Sequence, residues 1–162
     1  MPTRLGPDAF DIRRDDLSGP DVIALLEAHL AEMHNWSPAC HVHAMPVERL
    51  RQPDVTFFSA WHEGELAAVG ALKQLDDRRG EFKSMRASPA FRGRGAGEAL
   101  LLHLIERALD RGYGWVGLET GRTEPFQPAH GLYRKHGFAP CPPFADYADN
   151  DFSICMSRSL QA

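Results

Sequence analysis

The stretch SPAFRGRGAGEALL, residues 88–101, sets two arginines and three alternating glycines directly ahead of a leucine-rich run. Glycine surrenders the most conformational freedom on folding, so Gly93, Gly95 and Gly97 together imply a backbone that turns sharply or approaches something closely. A helix starting there would present unpaired N–H groups and the positive end of its dipole, which attract phosphate, and Arg92 and Arg94 add charge. The same residues would also serve as a plain tight turn between a strand and a helix. Spacing rejects two familiar phosphate loops. G-x-G-x-x-G needs glycine or alanine at its sixth position, where counting from Gly93 gives Glu98 and counting from Gly95 gives Leu100. A nucleotide P-loop needs Gly-Lys followed by Ser or Thr, and that tripeptide does not occur. What remains is Arg92-x-x-Gly95-x-Gly97.

Other residues capable of chemistry carry weaker patterns. HNWSPACHVH gathers His34, Cys40, His41 and His43, but structural zinc sites pair their ligands at both ends of a loop and no second pair follows; no metal is expected. Cys141 and Cys155 have no histidine in a recognisable Cys–His pattern, so neither is expected to be a nucleophile. FADYADND reads as solvated loop. Were it to cover a binding site, Asp146 would hold a cation, and Phe144 or Tyr147 an apolar group beside it.

The elements that must position these groups follow from periodicity. Val22, Leu25, Leu26, His29, Leu30 and Met33 recur at helical spacing and predict a helix over residues 18–34, capped by Ser18 or Asp21. A short helical piece is expected over residues 47–51. VTFFSAWHE and ELAAVGALKQL read as strands joined by a turn at Glu63-Gly64, and EFKSMRA follows a second polar turn, giving an antiparallel meander. Residues 97–111 are helical, with Leu101, Leu104, Ile105 and Ala108 on one face, and Glu98, Arg107 and Asp110 pointing away. Gly112 stops that helix. WVGLETG then completes a parallel βαβ crossover with EFKSMRA. A helix over residues 127–136 and a last strand near DFSICMS close the chain. The expected fold class is α+β, one domain with a single mixed sheet.

Composition excludes several function classes. At 162 residues with a net charge of −4, the chain shows no basic excess of the kind that binds nucleic acid. No apolar run reaches the length needed to span a bilayer, and three scattered cysteines suit a reducing, cytoplasmic setting.

Arg92-x-x-Gly95-x-Gly97 between a strand and a long helix resembles the pyrophosphate-binding signature of the GNAT superfamily of acetyl-CoA-dependent N-acetyltransferases. So does the approach Ser88-Pro89 and Phe91-Arg92-Gly93-Arg94-Gly95. Ala129-x-x-Leu132-Tyr133-x-x-x-Gly137-Phe138 resembles that family's motif on its fourth main helix. The likeness covers residues 80–140 well, and before them only the order of elements agrees. It implies a mostly antiparallel central sheet flanked by helices on both faces.

The resemblance also implies a site. Backbone amides of Arg92, Gly93, Arg94, Gly95, Ala96 and Gly97 would bind the diphosphate of acetyl-CoA. Met85 and Ala87 would pair with its pantetheine arm, the amide of Met85 polarising the thioester carbonyl; backbone donors need no particular side chain. Tyr133 stands where the family places a general acid for the departing thiolate, and the surrounding motif favours that role over packing beside Leu132 as a core aromatic. For the base, Glu119 ranks above Glu81; the family's commonest carboxylate position on this strand holds Lys83. Alternation puts Glu81, Lys83, Met85 and Ala87 on one face. Phe126 replaces an asparagine that often contacts CoA, leaving that contact to Thr120 or Thr123, or absent. His43 or Trp36 would face the acceptor. The expected activity is acetyl transfer to a primary amine, the acceptor being a small molecule and the enzyme a homodimer in some relatives. A CoA-binding module without catalysis is the alternative.

Overall fold

The structure is a computed structural model that describes residues 4–36, 47–122, 124–145, 147–148 and 151–160. Cys40, His41, His43, Thr123 and Asp146, and the side chains of His34 and Trp36, lie outside the described residues.

Among the described residues, seven strands form one sheet: β1 (Asp11–Arg14), β2 (Val55–His62), β3 (Glu65–Gln74), β4 (Arg79–Ala87), β5 (Trp115–Gly121), β6 (Ala139–Cys141) and β7 (Ser153–Ser159). Their spatial order is β1-β2-β3-β4-β5-β7-β6. Every neighbouring pair is antiparallel except β4–β5, which is parallel. The described residues also form four α-helices: α1 (Pro20–Trp36), α2 (Val47–Leu50), α3 (Ala96–Asp110) and α4 (Gln127–Lys135). The expected α+β class with one mixed, mostly antiparallel sheet is the one observed.

Alternation along the central strands assigns each helix to a face. Val55 and Phe57 of β2, with Val69 and Ala71 of β3, pack with Val22, Leu25 and Leu26 of α1 and Leu50 of α2. Phe58, Ala60, Ala68 and Leu72 face the other way, onto Leu100, Leu101 and Leu104 of α3 and Tyr133 of α4. Because both faces are covered, β3 is buried without interruption from Leu66 to Leu72. The β2–β3 turn is a two-residue hairpin with positive φ at Glu63 (+49°) and Gly64 (+82°), the combination whose twist suits a tight antiparallel pair.

Three sequence expectations are corrected. Helix α1 starts one residue later than a Ser18 cap would place it: Ile23 N–H donates to Gly19 O at 3.1 Å, with Pro20 at the first helical position, while the Ser18 hydroxyl bonds Asp16 at 2.5 Å. Strands β1 and β6 carry no readable pattern, being short edge strands, the latter containing Pro140. Glu98 does not point away into solvent. It accepts from Lys135 Nζ and His136 Nε2, each at 2.7 Å, and pairs with Arg4, because the end of α4 returns beside the start of α3.

That arrangement makes a testable pH dependence. Hydrogen bonds from Lys135, then His136 and Arg4, hold the Glu98 carboxyl at about 2, below its ordinary 4.5. A depressed carboxylate contributes stability that is complete above the unfolded value and is lost as pH falls through the folded one. Thermal melts should therefore lose stability between pH 4.5 and about 2, and Glu98→Gln should flatten that part of the profile. An equal slope in both proteins would count against it.

Candidate active site

Strands β4 and β5 pair only over Arg79↔Trp115, Gly80↔Val116 and Glu81↔Gly117. Beyond Glu81 they part, while β5 stays paired with β7 as far as Gly121↔Ser153. The gap opens a cavity of about 160 Å³ that reaches both faces of the sheet. His29 and Met33 of α1 line it from one side, Ala129 and Tyr133 of α4 from the other, with Leu118, Glu119 and Thr120 on the β5 wall.

The β4 wall is irregular. Lys83 is registered with Ala71 but Arg86 with Val69, so Ser84 and Met85 together oppose the single residue Gly70. This is a β-bulge, and Ser84 takes φ +56° within it. The inserted residue overturns the expected common face. Glu81 and Lys83 do share one and are bonded to each other, but Met85 turns to the α3 side, packing with the core cluster that contains Phe82 and Leu100. Arg86 instead pairs with Glu32 on α1. Ala87 resumes the ladder opposite Ala68.

From the end of β4 the chain turns through a 3-10 segment, Pro89–Phe91, into the glycine loop. Gly93 (φ +75°) and Gly95 (φ +99°) occupy backbone conformations that L side chains rarely adopt. Gly95 is the N-cap of α3, and no side chain caps that terminus, so the first-turn N–H groups from Ala96 and Gly97 onward have no intrahelical acceptor. A Cβ at Gly95 would lie 2.6 Å from the Leu5 carbonyl oxygen, and Leu5 N–H donates to Arg94 O at 2.7 Å. The N-terminal segment thus braces the loop from behind. Arg92 is half-exposed and reaches Glu32 at 3.2 Å; the Arg94 guanidinium lies 4.8 Å from the Phe91 ring centre.

Tyr133 is buried, its ring tilted against Phe138 at 6.0 Å, and among the described residues its hydroxyl takes no hydrogen-bond partner. Burial pushes its phenol up to about 12, so it stays a protonated donor over the working range of an enzyme. Both readings of this residue coexist, since the ring packs in the core while the side chain lines the cavity.

The two carboxylates differ. Glu81 is only 2 % exposed and belongs to a closed triad: Lys83 Nζ lies 3.2 Å from its Oε2, Tyr147 OH donates to that oxygen at 2.5 Å, and Lys83 also donates to Tyr147 OH at 2.5 Å. Burial and the charge of Glu81 push the Tyr147 phenol up, which keeps its proton in the triad. Tyr147 comes from the loop after β6, where Phe144 stacks edge-on with both Trp115 (5.1 Å) and Tyr147 (5.4 Å). Glu119 is less enclosed and accepts from Ser153 Oγ at 2.9 Å. Opposite it on β7, the Cys155 thiol is pushed up to about 11, mainly by burial, which leaves it a poor nucleophile.

Thr120 lines the cavity. Phe126 is buried against Gly121, where a Cβ would fall 2.1 Å from its ring. Sequence reasoning overlooked His29 and Ser84. Burial first, and the neighbouring Arg86 second, lower the His29 imidazole to about 4, so the ring is neutral. Its signal was a histidine on an otherwise apolar helical stripe; Ser84 offered none. Among the described residues no group of three or more metal-ligating side chains gathers, and no helix is long and apolar enough to cross a membrane.

Comparison with known proteins gives four findings of the same kind. A family model described as Acetyltransferase (GNAT) family matches residues 20–138. The Bacillus subtilis (strain 168) protein named Uncharacterized N-acetyltransferase YsnE is 46% identical over 149 residues, covering 92% of this chain and 99% of the relative. A Klebsiella pneumoniae structure, described as a putative acyl-CoA N-acyltransferase, superposes with a TM-score of 0.75 at 25% identity, over 94% of this chain and 98% of that one. A GNAT family acetyltransferase from Elizabethkingia anophelis, solved with acetyl-CoA bound, shares the fold at a TM-score of 0.65 and 17% identity, over 94% and 99%.

Proposed function

The chain belongs to the GNAT acetyltransferase family, and from that membership we propose that it transfers the acetyl group of acetyl-CoA to the primary amine of a small-molecule acceptor by direct attack. The observation that carries the reading is the gap between β4 and β5, which brings Tyr133, whose hydroxyl has no hydrogen-bond partner among the described residues, and a bulged strand edge to one cavity, the bulged strand leading on into the uncapped N-terminus of α3.

In this reading the loop amides from Arg92 to Gly97 hold the diphosphate, and the half-exposed Arg92 lies close enough to add charge. The edge of β4 at Met85 and Ala87 pairs with the pantetheine arm. The Met85 N–H polarises the thioester carbonyl, where the bulge frees a residue from the ladder. The acceptor nitrogen, once neutral, forms the new C–N bond; the C–S bond breaks, Tyr133 O–H supplies the proton that leaves with the thiolate, and the second proton, shed by the acceptor nitrogen as it becomes an amide, restores the tyrosine. An amine with a lysine-like pKa of ~10.4 needs a base first. Glu119 suits that role better than Glu81, whose carboxylate is already engaged by Lys83 and Tyr147.

Calorimetric titration tests the cofactor: acetyl-CoA should bind, whereas ATP and NAD should not. A thiol-release assay across a panel of primary amines then tests transfer. Binding without turnover on any amine would leave a CoA-binding module and remove the transferase reading. Glu119→Gln should lower kcat by about 10²-fold with little change in the KM for acetyl-CoA, a typical size for loss of a general base. Undiminished kcat in that variant, together with a loss in Glu81→Gln, would move the role to Glu81.

A further inference from the structure

Two residues that line the cavity carry a buried polar atom with no hydrogen-bond partner among the described residues: His29, through Nδ1, on the α1 wall, and Ser84, through Oγ, on the β4 bulge. Such atoms are rare in folded proteins, because a buried donor or acceptor without a partner forfeits its hydration and receives nothing in return. Here two of them, from two separate elements, line a single cavity. Ser84 is moreover held at φ +56°, a conformation a serine adopts only when its surroundings require it. Backbone strain and unmet hydrogen bonding therefore coincide at one residue of the wall. The neighbouring charges are already matched, Lys83 with Glu81 and Arg86 with Glu32, so the two unmet atoms define a neutral polar end of the cavity. The neutral imidazole of His29 offers one N–H and one lone pair, and the Ser84 hydroxyl can donate or accept. The opposite wall carries Glu119, a carboxylate suited to the amine end of an acceptor.

We propose that His29 and Ser84 form an acceptor-specificity subsite for an oxygen function, a hydroxyl or a carboxylate, carried on the same small molecule as the amine. The inference rests on the transferase reading above. The preferred acceptors are then amino alcohols or amino acids rather than plain alkylamines. A ligand oxygen bridging Ser84 Oγ and His29 Nδ1 satisfies both atoms at once and fixes the orientation of the amine relative to the thioester.

Three probes of matched chain length separate the possibilities: 1-aminobutane, 3-amino-1-propanol and β-alanine. Each is titrated into the CoA-saturated protein and also assayed for acetylation with acetyl-CoA. Either oxygen-bearing amine should exceed 1-aminobutane about tenfold in affinity and in kcat/KM, the size expected for hydrogen bonds to otherwise unpartnered groups. Whichever of the two is preferred identifies the oxygen function. The preference should collapse towards unity in Ser84→Ala and in His29→Met. Because neither atom is paired among the described residues, the unliganded variants should melt no lower than the parent. Equal preference in parent and variants, no preference in the parent, or no detectable binding of any probe would overturn the subsite, as would a drop of several degrees in both melts. Selective binding without acetylation would sink the transferase reading and leave the subsite standing. Acetylation of all three probes alike would do the reverse.

Discussion

Tyr133→Phe should lower kcat by about 10²- to 10³-fold while leaving the dissociation constant of acetyl-CoA within about twofold. The substitution removes one oxygen and keeps the ring that packs against Phe138. No protein group among those described bonds that oxygen, so its loss strands no partner and the fold should be unaffected. The chemistry at stake is protonation of a departing thiolate whose conjugate acid lies near ~8.5. With its phenol pushed up to about 12, Tyr133 is a weak acid against such a base. It therefore contributes through a positioned hydrogen bond in the transition state more than through driving force, which sets the expected loss at the lower end of general-acid effects. Because burial raises its phenol, its ionisation should leave no basic limb in the rate profile across the neutral and mildly alkaline range. Steady-state kinetics together with calorimetry decide the matter. Full turnover in the phenylalanine variant would exclude Tyr133 from the proton path.

Gly95→Ala should weaken acetyl-CoA binding by about tenfold or more and lower the melting temperature by roughly 3–10 °C, since a non-glycine residue forced into such a conformation costs about 1–3 kcal/mol. Two independent penalties fall on this position. Its φ of +99° disfavours any L residue, and the added methyl would sit 2.6 Å from the backbone oxygen of Leu5, which cannot rotate away as a side chain could. Relief requires the loop or the N-terminal segment to shift, and either movement re-aims the amides at the start of α3. Gly112→Ala is the matched control. It also has positive φ (+79°), but open space surrounds it, beyond the far end of the same helix. That variant should lose stability and keep its affinity. If Gly95→Ala bound acetyl-CoA as tightly as the parent, the glycine loop would not be the diphosphate cradle.

How far the sequence reveals this molecule depends on what kind of rule each part obeys. The meander, the crossover and helix α3 obey period and punctuation, and the expected elements fall within a residue or two of the observed ones. The glycine loop is legible for the same reason, since positive φ leaves its mark on residue choice. The bulge is not. Ser84 adopts φ +56° without glycine, asparagine or aspartate to signal it, and strict alternation then sends Met85 to the wrong face. Glu98 fails differently: helical period correctly places it off the α3 core face, but period knows nothing of Lys135 and His136 arriving from another helix. His29 was hidden by success, because counting it as one more position of the apolar stripe completes α1 so well that its unpaired nitrogen goes unasked about. The tyrosine of FADYADND is a further case, a loop residue that closes a buried ion pair instead of greeting solvent.

The stitching of Leu5 to Arg94, and of Arg4 to Glu98, has a practical bearing on handling the protein. A purification handle fused ahead of residue 4 is anchored within one residue of the turn that governs cofactor affinity, and would perturb titrations even with every loop side chain intact. A handle after Leu160 leaves from the other end of β5, where Leu160 N–H bonds Gly114 O, remote from the parted strands. Tagging at the C-terminal side is the design that keeps measured constants those of the untagged chain.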